Sequence, residues 1–271
     1  MTNDLSDLLS VAQETAVTAG TLIRDLLRQP RAIAVKGFRD LVTDADFAAQ
    51  QQITQTIRQR FPDHGFLTEE EDDSLPTDGP IIWIIDPVDG TTNYSRQQPA
   101  FAVSVAAARA SSTGYETLAG AIYDPMREEL FSAGVGNGAT VRDGNGRTAP
   151  LHVSLIEQMG DAVLLLDWGG KPALRQRSMA YLQAAAPHVF TVRALGSATL
   201  ALAWLAAGRA DLYFNFNVKA WDLAAAQLIL AEAGGVLTAV NGDPLDWQAP
   251  VMDCLASNGR LHSEWHHHLT P

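Results

Sequence analysis

The run Ile81-Ile82-Trp83-Ile84-Ile85, followed directly by Asp86-Pro87-Val88-Asp89-Gly90, constrains this chain more than any other segment. Consecutive bulky, mostly β-branched residues of that length read as a strand covered on both faces, so the rest of the chain must supply two covering layers. Two carboxylates three residues apart then arrive together. Pro87 is expected to stop the strand, which places Asp86 at the sheet's edge. Asp89 returns a second carboxylate to the same side, and Gly90 permits an unusual turn or a close approach by another group. Thr91-Thr92-Asn93 suits a helix start or tight turn with free amides and outward hydroxyls. One short segment can thus hold a hard cation through oxygen and a phosphate through amides.

The covering layers are legible on either side. With 271 residues and 46% apolar content the chain can bury a large core. Apolar residues recur at helical spacing from Leu5 to Leu27, and a second helix is expected from Thr43 to Pro62, with Thr43 as its cap and Asp46 in its first turn. Strands are expected over Ile81 to Ile85, Ala102 to Ala108, Leu118 to Tyr123 and Glu129 to Ala133, and Asp143-Gly144-Asn145-Gly146 marks a turn. After Pro150 strand and helix alternate: Ala162 to Leu166, a helix through Met179 and Leu182, Val189 to Ala194, a helix from Ser197 to Ala207, Leu212 to Phe216, a helix from Lys219 to Ala233, then Val236 to Ala239 and Cys254 to Ala256. The pattern divides the chain into an α+β lobe over 1–150 and an α/β lobe over 151–271, with no repeat or linker between them.

Charge and composition exclude several roles. A formal net charge of −12 argues against capture of nucleic acid or an anionic membrane, yet not against a phosphate, because bound cations invert the local field. No apolar run reaches membrane-spanning length and the N-terminus lacks a signal-peptide layout, so cytoplasmic residence is expected. The single cysteine, Cys254, reads as a small core residue. His266, His267 and His268 read as a frayed, solvated tail without a role. Gly134-Val135-Gly136-Asn137-Gly138 reads as a hairpin loop, since no helix pattern follows it to make a dinucleotide site.

Four blocks in order, Asp40-Leu41-Val42-Thr43-Asp44-Ala45-Asp46, Phe66-Leu67-Thr68-Glu69-Glu70, the Asp86–Tyr94 segment, and Gly196-Ser197-Ala198 with Trp221-Asp222-Leu223-Ala224-Ala225, resemble the inositol monophosphatase family over nearly the whole chain. The resemblance implies a layered α/β/α/β/α sandwich and a Mg2+-dependent, lithium-sensitive phosphatase that acts on a small phosphorylated metabolite as a homodimer. It implies that Glu69 holds a first metal, that Asp86 bridges, that Asp89 and Asp222 hold a second, and that the Val88 carbonyl is a further ligand. Asp46 and Thr91 match the pair that activates the attacking water. Gly90 and Thr91 amides are expected on the phosphate, with Lys36 if it lies close, and Gly196, Ser197 and Ala198 on the substrate's hydroxyls.

The residue types agree with that chemistry on their own terms. Scattered carboxylates without a His or Cys pair at zinc spacing suit magnesium, which prefers oxygen ligands and keeps waters. Taken alone, Glu69-Glu70-Glu71-Asp72-Asp73 is a solvated acidic loop, and Asp222 is a first-turn acid that favours its helix dipole. The chain departs from the inositol pattern at Asn215, where the family has an inositol-binding glutamate, and at Lys219, where that branch has histidine. These departures lead us to expect a poor inositol phosphatase that prefers a substrate whose distal end is less hydroxylated or carries an acidic group, the latter favoured by Lys219 if it reaches the pocket. Fructose-1,6-bisphosphatase or histidinol-phosphate phosphatase activity, and a phosphate-binding protein without turnover, remain alternatives.

Overall fold

The computed structural model describes residues 5–29, 33–37, 40–112 and 114–269, with the side chains at 36, 37, 40, 268 and 269 outside the description. The apolar run at 81–85 lies in strand β4 (Ile82–Asp89), every residue of which is buried. It belongs to a seven-stranded sheet whose order is that of the sequence: β3 (Gly65–Thr68), β4, β5 (Ala102–Ser111), β6 (Gly114–Asp124), β7 (Glu129–Gly134), β8 (Ala139–Arg142) and β9 (Thr148–Pro150). All pairings are antiparallel except β3 with β4. A separate hairpin joins β1 (Ile33–Gly37) to β2 (Asp40–Thr43).

One face of the large sheet is covered by α1 (Leu5–Leu26) and α2 (Asp44–Arg60), whose apolar stripes, including Leu8, Ala12, Ile23, Ile53 and Ile57, pack on Trp83, Ile85, Val103 and Val105. The other face is covered by α5 (Ala198–Ala206) and α6 (Ala220–Glu232). These two helices are also covered from behind by a five-stranded sheet of order β11 (Thr191–Ala194), β10 (Val163–Leu166), β12 (Leu212–Val218), β14 (Met252–Ser257), β13 (Val236–Ala239). A helix buried on both sides has no need of a polar face, which is why α5 reads Ala-Thr-Leu-Ala-Leu-Ala-Trp-Leu-Ala. On the far face of the second sheet lie α4 (Pro172–Ala185) and α7 (His262–Leu269). The result is the expected five-layer α/β/α/β/α sandwich.

Three expectations need correction. Pro87 does not stop the strand: β4 continues through it to Asp89, with a shift of register between Asp86 and Asp89 against β5. A bulge makes no demand on the missing proline N–H, so the ring is tolerated there. Nor is Asp86 at the sheet's edge, since it pairs with Ser104 inside the sheet, one residue beyond the last β3 pairing. The histidine-rich segment is no frayed tail either. It forms α7, anchored by the fully buried Trp265, with His266 beside Gly242 and the His268 side chain outside the described residues. Trp265 supplies apolar burial enough to order a short terminal helix. The glycine-rich loop at 134–138 is the expected β7–β8 connection, and its Gly136 and Gly138 amides are both taken by the Glu232 carboxylate at 2.7 Å.

A close backbone approach between layers is at Gly120 of β6, where a Cβ would lie 3.0 Å from the Ala225 Cα and 3.1 Å from its carbonyl oxygen. Both atoms are backbone, so relief requires moving α6 itself. Gly120→Val should cost about 1–3 kcal/mol of stability as an overpacked core. Because Asp222 rides on α6, the same variant should bind divalent cations more weakly than a surface control does; denaturant titration with calorimetry checks both.

Candidate functional site

Strand register brings the first carboxylates together. Parallel pairing sets Thr68 beside Ile85, so Glu69 follows alongside Asp86, and its amide donates to the Ile85 carbonyl at 3.1 Å. Gln50 of α2 holds the next residue from both ends: its Nε2 donates to the Glu70 carbonyl at 2.7 Å and its Oε1 accepts from the Glu70 amide at 3.2 Å. Glu70 is buried, while Glu71 to Asp73 are exposed as a solvated loop should be. Asp86 Oδ1 accepts from the Val88 amide at 3.0 Å, which turns that carboxylate back over the bulge.

The α2 cap reaches the same place. Asp46 Oδ2 accepts from the Thr43 amide at 2.9 Å and from its hydroxyl at 2.5 Å, as an N3 residue closing a capping box should. Its other oxygen, Oδ1, lies 3.3 Å from the Thr91 hydroxyl, which also donates to the Val88 carbonyl at 3.0 Å. Asp46 is therefore both a cap and a partner of Thr91. Thr91 opens the short helix α3 (Thr91–Ser95) after Gly90, whose φ of 96° lies in the left-handed region. A side chain at Gly90 would also crowd the carbonyls of Ala100 and Gly196 at 3.0 and 3.1 Å.

The second half of the chain closes the site. Asp89 Oδ2 accepts from the Ser197 hydroxyl at 2.6 Å, the Thr199 amide at 2.7 Å and the Thr199 hydroxyl at 2.6 Å, and the Ala198 amide adds a further hydrogen bond. The N-terminus of α5 thus holds an anion with both its dipole and its free amides. Asp222, in the first turn of α6, accepts from the Lys219 amide at 2.6 Å. Asp86, Asp89 and Asp222 each place a carboxylate oxygen within 4.8 Å of the others.

Burial raises the carboxyl pKa of all three. For Asp86, where the shift is large, Glu69, Asp89 and Asp222 add repulsion; for Asp222, also large, Asp89 adds to it; for Asp89 the hydrogen bonds from Ser197 and Thr199 oppose it. Like charges gathered in a dry site call for a cation, and the all-oxygen donor set fits a hard one such as Mg2+.

Beyond these carboxylates opens a cavity of about 590 Å3, lined among others by Asp89, Asn93, Asp167, Gly196, Ser197, Ala198, Asn215 and Asp222. A larger one, about 810 Å3, lies elsewhere beside Tyr115, Leu237 and Trp247 and contains none of these groups. Asn215 is nearly buried and turned inward: its Nδ2 donates to the Tyr213 hydroxyl at 3.0 Å and its Oδ1 accepts from the Phe216 amide at 2.8 Å. Lys219 is not among the residues lining the cavity, and its ammonium lies over the Trp221 ring, 5.7 Å from the centroid. The side chain of Lys36 is outside the described residues.

Several residues of the site escaped the sequence reading. Asn93 Nδ2 donates to the carbonyls of Ala100 and Leu195 at 2.6 and 2.7 Å, tying the α3 turn to the start of α5. Thr199 and Gln50 gave no local signal, because their partners lie 110 and 20 residues away. Asp167 did give one. Val163-Leu164-Leu165-Leu166-Asp167 repeats the logic of the run at 81–86, an apolar strand ended by a carboxylate.

The inositol monophosphatase family model matches residues 4–271. An inositol-1-monophosphatase of Synechocystis sp. is 35% identical over 265 residues, 97% of this chain and 88% of that protein. Nus factor SuhB of Salmonella typhimurium is 36% identical over 241 residues, 87% of this chain and 86% of that protein. The crystal structure of the extragenic suppressor protein suhB from Bartonella henselae superposes with a TM-score of 0.86 at 31% identity, covering 96% of this chain and 97% of that one.

The raised carboxyls make cation binding and protonation competitors. Folding increases their proton affinity, so without cation their contribution favours the folded state near pH 4 and is lost as pH rises through the raised folded values. Stabilisation by a divalent cation should therefore grow over the same window. His64 and His262, depressed mainly by burial, act oppositely, losing stability as pH falls below the free imidazole value near 6.5. Their contribution is common to both conditions. The difference in Tm with Mg2+ and with chelator, measured from pH 5 to about 8, should rise with pH; a flat difference would contradict this electrostatic picture.

Proposed function

The chain belongs to the inositol monophosphatase family and is a phosphatase, and from that premise we propose that it hydrolyses a small phosphate monoester with Mg2+ as cofactor. The convergence of Asp86, Asp89 and Asp222 beside an Asp46–Thr91 pair carries the reading. Glu69, Asp86, the Val88 carbonyl, Asp89 and Asp222 would hold the cation, which when bound supplies charge neutralisation on the phosphoryl oxygens and lowers the pKa of water.

The chain's own groups do the rest. Thr91 Oγ1 accepts a proton from the attacking water as its own passes to Asp46 Oδ1. The water oxygen forms the new bond to phosphorus, the ester P–O bond breaks, and the alcohol leaves with a proton from solvent. Gly90 and Thr91 amides, at the α3 N-terminus, orient the phosphate. Because water attacks directly, no covalent phosphoenzyme is needed, and the single cysteine is no candidate nucleophile, being buried with its thiol pKa driven up by that burial. A phosphate-binding protein without turnover would have no use for the Asp46–Thr91 pair.

The lobe over 1–150 then carries most cation ligands and the water-activating pair, and 151–271 carries Asp222 with the substrate contacts at Gly196, Ser197 and Ala198, while Asn215, expected among them, has both ends of its amide engaged by Tyr213 and Phe216. We extend the reading to lithium sensitivity and a cytoplasmic homodimer; among the described residues no helix is long and apolar enough to cross a membrane. One relative is called a Nus factor, but a formal charge of −12 lends no electrostatic support to nucleic-acid binding by this chain.

Exhaustive chelation should abolish monoester hydrolysis and added Mg2+ restore it. Asp89→Asn should lower kcat by orders of magnitude in a folded protein, because a ligand acting in the transition state is neutralised. Thr91→Ala should lower kcat by about 10²–10⁴-fold while calorimetric Mg2+ affinity stays within a few fold. Parallel loss of metal and rate in that variant would remove Thr91 from the water.

A further inference from the structure

We propose that Asp167 reads the part of the substrate beyond its phosphate, accepting hydrogen bonds from its hydroxyl or ammonium donors; this specificity role rests on the phosphatase reading above. Parallel pairing of β10 with β11 and with β12 sets Leu166 beside both Ala194 and Phe214. Asp167 follows the last residue of β10 and Gly196 lies just past β11, so both stand at the carboxyl ends of adjacent parallel strands, the crevice in which open α/β sheets bind ligands, and Asn215 lies beside them within β12. All three line the cavity that also contains Asp89 and Asp222.

The carboxylate of Asp167 has acceptor capacity to spare. Its Oδ1 takes the Gly196 amide at 2.6 Å and its Oδ2 takes the Tyr213 hydroxyl at 3.1 Å. A carboxylate offers about four acceptor positions, so two of them have no protein donor among the described hydrogen bonds. No ion pair to Asp167 occurs among the described residues either. The group is nearly buried, 7% exposed, and what exposure it has is to the cavity. A buried acceptor with spare capacity in a ligand cavity is complementary to a donor-bearing ligand.

Asn215 fixes this arrangement. Its Nδ2 donates to the Tyr213 hydroxyl, whose own hydrogen is then directed at Asp167. Asn215 is a positioning residue, and the ligand-facing carboxylate stands one strand away on β10. On this proposal the subsite keeps a carboxylate although Asn215 stands where the family has glutamate.

The test uses the Mg2+-loaded full chain and three monoesters built on one ring: myo-inositol 1-phosphate, 4-aminocyclohexyl phosphate and the donor-free cyclohexyl phosphate. Asp167→Asn should lower kcat/KM on a donor-bearing ester by about 10- to 100-fold and change cyclohexyl phosphate by less than about threefold. Selective loss on the inositol ester identifies hydroxyl donors, and selective loss on the amino ester identifies an ammonium. Equal loss on all three, or loss on none, overturns the proposal. Tyr213→Phe, which leaves the carboxylate in place but frees its orientation, should give the same selectivity at smaller amplitude, and it serves if Asp167→Asn does not fold. If the wild type turns over none of the esters, the reading of ring monoesters as substrates fails separately. Calorimetric affinities for the three esters then decide the role of Asp167 by the same pattern.

Discussion

Asp89 is held by the N-terminus of α5 across more than one hundred residues of sequence, and the site takes its shape from that contact. A buried carboxylate beside two others is destabilising unless its charge is met. The Ser197 hydroxyl, the Thr199 amide and hydroxyl and the Ala198 amide meet part of it. The same bonds fasten the end of β4 in the large sheet to the helix layer that also backs the small sheet. Asn93 repeats the fastening one turn later through the carbonyls of Ala100 and Leu195. Cation affinity and cohesion between the two sheets are therefore coupled by geometry.

The central helix layer makes this possible. α5 and α6 lie between two sheets, and small residues such as Ala224, Ala225 and Ala226 let backbones approach closely, as at the Gly120 contact. Close approach brings the first turns of both helices to one point, where Asp222 meets Asp86 and Asp89. The two positive helix ends offset some of the acidic charge collected there, and the remainder is left for a divalent ion.

On the substrate side the cavity is bounded by strand ends, and strand ends exchange roles easily. The same acidic function can be carried from β10 or from β12, because parallel pairing puts the end of β10 beside Phe214, the residue before Asn215. Under the specificity role proposed for Asp167, Asp167 beside Asn215 is such an exchange.

The sequence by itself determined the order of the long elements, the apolar faces and the carboxylates Asp86 and Asp89 that follow the buried run, whereas Glu69 and Asp222 stood out only through the family resemblance. Each of the first three is a local consequence of residue type: branched runs make buried strands, periodic stripes make helices, and acids after a buried strand cannot retreat to solvent. The capping of α2 by Thr43 and Asp46 was local in the same way. The continuation of β4 through Pro87, the ordering of α7 and the inward turn of Asn215 were decided by tertiary structure. A bulge that excuses a proline, a core that accepts Trp265 and a tyrosine that claims an amide are all supplied by distant segments. The grip of Thr199 on Asp89 and the placement of Asp167 beside Asn215 depend likewise on which strands and helix ends are adjacent in space, and adjacency is a property of the packed layers that no short stretch of chain encodes.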